Sequence, residues 1–153
     1  MAQTPPPTPE SFRSAAQAAF AFLAREFDFR EVPLPSSGFH NPVAVWFESP
    51  VVRVVIDGTG WGIGARVALG RAAPGVFENY DLGDLLAERG APPVALGGQL
   101  EQLPRLADAL RAIGADILRG DVAIFPALQA RVERRAAEFA AVRDPRLAAR
   151  GLP

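Results

Sequence analysis

A run of glycines at every second position is the feature of this sequence that most suggests chemistry. Gly58, Gly60, Gly62 and Gly64 stand between the apolar segments VVRVVID and ARVALG. Glycine-rich turns can cradle phosphates, but a dinucleotide loop requires the spacing G-x-G-x-x-G between a strand and a helix. The spacing here is G-x-G-x-G-x-G, and the residues after it have a strand pattern. We therefore predict pleated strand backbone and no nucleotide site.

The other chemically capable residues do not form a recognisable catalytic set. The sequence contains no cysteine and no lysine, which excludes thiolate chemistry, sulfur-bound zinc, Schiff-base chemistry and a P-loop lysine. The one histidine, His40, has no G-x-S-x-G serine elbow to act with, and the adjacent Ser36 and Ser37 do not suggest a positioned nucleophile. We predict no metal, no cofactor and a surface turn position for His40.

Carboxylates cluster in one segment and could serve paired-acid hydrolysis. The candidates are Glu78, Asp81, Asp84 and Glu88. The last three lie at helical steps of three and four, so we expect them to share one helix face. Acids near a helix N-terminus are also favoured by the helix dipole, which makes a solvated face the plainer interpretation. If this acidic ridge binds anything, it suits a basic partner.

Helical patterns lie at both ends of the chain. The segment Thr8-Pro9-Glu10 is typical of a helix start, and the apolar stripe that follows predicts a helix over residues 9–27. The segment YDLGDLLAERG predicts a short helix capped by Asp81. Two more helices are predicted: one carries Leu100 through Ile117 with a break at Gly114, and the last is capped by Asp121 with Pro126 in its first turn.

Strand patterns occupy the middle of the chain. An edge strand is predicted near residues 29–34, and three antiparallel strands over residues 43–48, 51–57 and 61–69. A two-residue turn at residues 58–59 sets Val54 opposite Ile63, and the preceding hairpin sets Phe47 opposite Val52. These pairings give all three strands one common apolar face, which a slip of one residue would destroy.

The opposite face of the predicted sheet holds a candidate binding surface. Trp46, Arg53 and Gly64 are expected in a row, with Gly62 beside them, and Arg53 is expected to stack on the indole of Trp46. The bare glycines leave space either for the indole itself or for another body docked on the sheet.

Strands in one block and helices in the others predict an α+β fold: an N-terminal helix, an antiparallel meander of three to four strands, and C-terminal helices packed on one face of the sheet. We predict a disordered Pro-rich tail at residues 1–8, a single domain at 9–143 and a frayed tail at 144–153. A net charge of −1 gives no drive toward nucleic acid or an anionic membrane. The absence of a signal-peptide pattern and of a long apolar run predicts a cytoplasmic protein.

The order of four segments resembles that in a known group of proteins. FLAREFDF, HNPVAVWFESPVVRVVIDG, YDLGDLLAERG and ILRGDVAIF follow one another within residues 12–140. In this order the chain resembles small uncharacterised bacterial α+β proteins, some of which are suspected immunity proteins that neutralise a toxin domain encoded nearby. The resemblance implies a binding protein and assigns no catalytic residue.

We therefore expect a non-enzymatic cytoplasmic module that binds another protein, such as a toxin domain, and neutralises it by occlusion. The expected partner-binding residues are Trp46, Arg53, Asp81, Asp84 and Glu88. Three alternatives stay open: a small-ligand module with a pocket near Trp61, Tyr80 and His40, a carboxylate-based hydrolase, and a subunit of a larger assembly.

Overall fold

The regular structure begins with a helix capped by Thr8. In the computed structural model, which describes residues 8–34, 41, 43–59, 63–76 and 78–143, helix α1 spans Pro9–Ala19. The Thr8 hydroxyl accepts a hydrogen bond from the Ser11 amide, and the Ser11 hydroxyl accepts one from the Thr8 amide. This reciprocal cap confirms the predicted helix start.

The predicted single helix over residues 9–27 is wrong, because a second helix, α2, spans Phe22–Phe27. In one continuous helix, Phe20 and Phe22 would point about 200° apart. The break between the helices lets both rings turn toward the core, with their centroids 6.1 Å apart. Phe20 is fully buried and Phe22 is 9% exposed. Burial of a second aromatic ring therefore outweighs continuation of the single helix that the apolar stripe predicted.

Five antiparallel strands form one sheet in chain order. They are β1 at Arg30–Val32, β2 at Ala44–Glu48, β3 at Val52–Thr59, β4 at Gly64–Arg71 and β5 at Tyr80–Asp81. Strand β1 is the predicted edge strand, and β5 adds a short fifth strand. The α+β class is confirmed.

The predicted apolar face is confirmed for β2, for β3 and for Val67 and Leu69 of β4, but the pairing along the strands is shifted. Phe47 pairs with Val54, and Val54 pairs with Leu69. The predicted partners Val52 and Ile63 are therefore wrong, and Ile63 is 76% exposed. Each shift is by an even number of residues, which keeps the same side chains on the same face.

Gly58 and Thr59, predicted as a turn, lie in β3. The Gly58 amide donates to the carbonyl of Val43 at 2.8 Å, and the Asn41 side-chain amide donates to the carbonyl of Gly58 at 2.8 Å. These bonds hold the end of β3 against the chain that enters β2. Pairing of β3 with β4 consequently continues as far as Thr59 and Gly64.

Three helices follow the sheet. Helix α3 spans Leu82–Glu88, α4 spans Gln99–Ile113 and α5 spans Ala115–Leu118. The Asp81 cap of α3 and the break at Gly114 are confirmed. Leu100 does not join the apolar stripe of α4, since it is 38% exposed, whereas Gln99 and Gln102 are buried.

The core lies between the helices and one face of the sheet. Helix α1 packs on β2, α4 packs on β4, and α3 contacts β4 and β5. Helices α1 and α4 also contact each other, so they form one layer. The buried sheet residues that face this layer include Val45, Phe47, Val52, Val54, Ile56, Val67, Leu69 and Tyr80.

The chain divides into two compact units, Met1–Val122 and Ala123–Pro153. The second unit contains helix α6 at Phe125–Arg143, with Pro126 in its first turn as predicted. Asp121 lies too early to be its cap, because the amides of Ala127 and Leu128 donate to the carbonyl of Ile124. The predicted tails lie outside the described residues, apart from Thr8. None of the described helices is both long enough and apolar enough to cross a bilayer.

Candidate docking surface

The face of the sheet opposite the core, called here the outer face, is organised around one cross-strand row. Val32, Trp46, Val55, Ala68 and Asp81 pair in succession across all five strands. Residues paired in this way lie side by side on one face. The first four are named here the apolar row, of which Ala68 is buried and the other three are half-exposed. The apolar row thus crosses the sheet and ends at a carboxylate.

A charged row borders the apolar row on one side. It consists of Arg30, Glu48, Arg53 and Gly70. The Arg53 guanidinium lies over the Trp46 ring, 5.1 Å from its centroid, which confirms the predicted stacking. Arg53 Nε also lies 2.9 Å from Glu48 Oε1, and the two side chains are only 21% and 25% exposed. The guanidinium is therefore held in one place by an indole and a carboxylate together.

A second charged row borders the other side and consists of Ala44, Asp57 and Arg66. Arg66 Nε donates to Asp81 Oδ2 at 2.8 Å, and its Nη2 donates to the Asn79 carbonyl at 3.3 Å. Burial raises the pKa of Asp57, and the neighbouring Arg66 charge partly offsets this increase. Arg66 therefore pairs with Asp81 on β5 and also lies near the carboxyl of Asp57 on β3.

Sequence reasoning missed Glu48, Asp57 and Arg66 as members of this surface. Their outward positions follow from the strand alternation that placed Trp46 and Arg53, since all five lie on the same side of the sheet. Their contacts depend on the register of the strands, and the register predicted from the sequence pattern was wrong. Strand alternation could thus have found these residues but not their ion pairs.

The predicted acidic ridge is wrong. Asp81 Oδ1 accepts from the Gly83 amide at 2.7 Å, and its other oxygen is taken by Arg66. Asp84 is 7% exposed, so it is not presented to solvent. Glu88 is exposed. The three acids therefore have different environments, and Asp81 belongs to the outer face of the sheet.

The glycine beside Arg53 is Gly70 and not Gly64, which pairs with Thr59. A Cβ at Gly70 would collide with the backbone carbonyl of Glu78. The protein's own chain therefore occupies the space that we expected an indole or a docked body to fill at Gly64. Gly62, the other glycine of that prediction, lies outside the described residues.

The segment that crosses Gly70 is anchored by an ion pair. Arg71 Nε lies 2.5 Å from Glu78 Oε1, and the Glu78 side chain is 10% exposed. Its second oxygen, Oε2, is buried and has no hydrogen-bond partner among the described residues. Glu78 thus holds the connection between β4 and β5 at the margin of the outer face.

Two glutamines of α4 hold the start of β4, at the turn end of the β3–β4 hairpin. Gln99 Nε2 donates to the Gly64 carbonyl at 3.0 Å, and Gln102 Oε1 accepts from the Ala65 amide at 2.9 Å. Both atoms of one peptide unit are thereby satisfied by buried side chains. Sequence reasoning missed this pair because amide side chains gave no apolar signal within the α4 stripe. Gly64 lies in a strand, as the two-residue period predicted, whereas Gly58 lies in β3 and not in the predicted turn.

Most of the remaining candidate residues cannot be placed relative to the outer face. His40, Ser36, Ser37 and Trp61 lie outside the described residues. Tyr80, expected near a ligand pocket, is 7% exposed. Within the described part of the chain, no three His, Asp or Glu side chains are grouped as ligands for a metal ion.

No protein-family model, curated protein or solved structure matches this chain.

Proposed function

We propose that this protein is a non-enzymatic binding module that docks another protein on its outer face. In this proposal it acts in the cytoplasm as an immunity-like protein, covering the active site of a toxin domain and so neutralising it. The observation that supports the proposal is the apolar row bordered on both sides by charged rows. A half-exposed indole at the centre of such a row is the kind of residue that anchors a protein partner.

The distribution of polarity supports a protein partner. Protein interfaces combine a core poor in charge with a polar rim, and they are enriched in tryptophan and arginine. Trp46 and Val55 lie in the centre of the outer face, whereas Arg53, Asp57 and Arg66 lie around them. A partner that covers the apolar row would leave these charges at the edge of the contact.

The fixed position of Arg53 favours specific docking. Binding orders long side chains at a cost of about 0.5–1.5 kcal/mol each. Because the guanidinium already lies on the indole and is paired with Glu48, little further ordering is needed. The partner would therefore meet a surface that is largely preformed.

The acids Glu48 and Asp81 of the outer face are paired with arginines of the same protein, so the partner does not have to be basic. Asp81 is neutralised by Arg66, and Glu48 is neutralised by Arg53. Selection would then depend on apolar contact and on the order of the charges along the strands. This replaces the expectation that an acidic ridge selects a basic partner.

The test is co-expression with the products of the neighbouring genes, scored by protection of growth and by recovery of a complex. Trp46→Ala should weaken the complex about 30-fold or more, because a central tryptophan commonly contributes about 2 kcal/mol or more. Leu96→Ala is the matched control, since Leu96 is 91% exposed and lies in the connection before α4, outside the sheet. It should change neither readout.

Two results would contradict the proposal. One is that no neighbouring product forms a complex and none is neutralised in the growth assay. The other is a complex whose affinity is the same for the wild type, the Trp46 variant and the Leu96 variant. In that second case the partner would bind elsewhere on the protein.

A further inference from the structure

The central strand of the outer face has a symmetrical charge pattern. The outward residues of β3 are Arg53, Val55 and Asp57, in the order positive, apolar and negative, followed by the uncharged Thr59 at the end of the strand. A two-fold axis through Val55, lying parallel to the sheet and perpendicular to its strands, reverses this order. The same strand of a second copy would then present a carboxylate to Arg53 and a guanidinium to Asp57.

We propose that a second copy of this chain covers the outer face when no other partner is bound. The two sheets meet face to face about the axis through Val55. Arg53 of each copy faces Asp57 of the other, so one contact type is made twice, as an isologous interface requires. This inference rests on the proposed function, because it names what protects and regulates the same docking surface.

The neighbouring strands are compatible with this arrangement. Because the axis runs along the apolar row, each member of the row faces its own counterpart: Trp46 lies against Trp46 and Val55 against Val55. Glu48 meets the small Ala44 of the other copy, and Arg66 meets the Glu78 backbone that lies over Gly70 at the margin of the outer face. Both charged residues keep their intramolecular partners.

The one like-charge contact lies at the edge. Asp81 of each copy ends the apolar row and would face the other Asp81, but each is paired with its own Arg66 at 2.8 Å. Packed sheets are also rotated by about 30° relative to each other, which separates their edges more than their centres. The contacts of Arg53, Val55 and Asp57 near the axis therefore dominate.

The size of the surface predicts a weak dimer. Five strands about 4.8 Å apart and three rows of side chains cover about 20 Å by 14 Å. This footprint is well below the area of about 800 Å² per partner found in stable complexes. The dimer should therefore form only at high micromolar concentration, and a partner with a larger interface should displace it.

A charge-exchange experiment tests the symmetry directly. Arg53→Glu sets two carboxylates against each other at each contact, and Asp57→Arg sets two guanidinium groups against each other. Each variant alone should dimerise at least about tenfold more weakly than wild type, a loss typical of like charges placed across an interface. An equimolar mixture should recover dimers. In the mixed dimer the introduced glutamate of one variant faces the introduced arginine of the other, and the native Asp57 of the first faces the native Arg53 of the second.

Sedimentation equilibrium across a concentration series measures the association, and circular dichroism verifies that each variant is folded. Arg13→Glu and Asp108→Arg are the matched controls, because they make the same charge changes at exposed positions on α1 and α4. If either exchange variant fails to fold, Val55→Arg replaces it, since it sets two like charges on the axis and leaves the Arg53–Glu48 pair in place.

The proposal is overturned if the wild type is monomeric at millimolar concentration, if its dimer is unaffected by the reversals, or if the mixture of folded variants does not recover it. These failures differ from failure of the proposed function. A monomer whose complex with a neighbouring product still depends on Trp46 would retain the docking function and lose only the second copy. A dimer that is restored by mixing the two variants, in the absence of any neighbouring product that binds, would support the second copy and contradict the docking function.

Discussion

At the scale of single residues, Gly70 shows how closely the protein's own chain approaches the outer face. The Glu78 carbonyl lies where a Cβ would stand, so even alanine has no space there. Gly70→Ala should lower the free energy of unfolding by about 1–3 kcal/mol, the usual cost of forcing extra atoms into a packed region. Urea denaturation followed by circular dichroism measures this change.

The control for that substitution is Gly98→Ser. A Cβ at Gly98 comes no closer than 3.8 Å to another side chain, and the position is the N-cap of α4, where serine is favoured. The control should therefore be neutral or slightly stabilising. Equal losses in both variants would show that the Glu78 segment does not constrain Gly70.

Two carboxyls should respond to pH with opposite signs. Burial raises the pKa of Asp57, so the folded state holds that proton more tightly than the unfolded state does. Relative to Asp57→Asn, the wild type should lose stability as pH rises from about 3.9 through the folded pKa. The Arg89 hydrogen bond lowers the pKa of Asp116. Relative to Asp116→Asn, the wild type should lose stability as pH falls below about 3.9 through that lower folded pKa.

Urea unfolding at several pH values between about 3 and 7 gives both differences. Parallel pH profiles for Asp57→Asn and wild type would contradict the role assigned to burial at this position. The same result for Asp116→Asn would mean that its pairing with Arg89 does not persist in solution.

At the scale of elements, sequence patterns predicted which residues face the core better than they predicted pairing. Val54 and Ile56 are fully buried as expected, because alternation specifies the face of a strand. It does not specify the partner, since any even shift gives the same faces. Gly58 carries no side chain to indicate where the strand ends. The end is decided by the bond that its amide donates to the Val43 carbonyl and by the bond that its carbonyl accepts from Asn41.

The glutamines of α4 provide the test at this scale. Gln102→Leu removes the acceptor for the Ala65 amide and leaves a part-buried donor unpaired. This should cost about 1–3 kcal/mol and should accelerate hydrogen exchange at Ala65. Gln17→Leu is the control, because its bond to Glu31 is exposed and should contribute little. Unchanged hydrogen exchange at Ala65 in the Gln102 variant would argue against the hydrogen bond between the Ala65 amide and Gln102.

At the scale of the whole molecule, periodicity identified a helix but not the extent of its burial. The apolar residues of α6 recur at helical steps from Phe125 to Val142. Leu128 is fully buried, whereas Phe139 is 66% exposed and Val142 is 83% exposed. A repeat of three and four residues shows which side of a helix is apolar, but not how far along the helix that side is covered.

Substitutions along α6 should show this difference. Leu128→Ala should lower the free energy of unfolding by about 2–5 kcal/mol, because it removes buried methyl groups. Phe139→Ala should change it by less than about 0.5 kcal/mol, as is usual for an exposed position. Thermal and urea unfolding of both variants supply the comparison. A large loss for Phe139→Ala would mean that the second half of α6 is covered in solution.

The stacking of Arg53 on Trp46 gives the sheet an optical reporter. The chain has two tryptophans, so Trp61→Phe leaves the emission of Trp46 alone. Indole fluorescence shifts to shorter wavelength when water is displaced from the ring. A concentration series of the single-tryptophan protein, or its titration with a candidate ligand, would therefore show occupation of this surface as a shift of the emission maximum. No label has to be attached to the molecule.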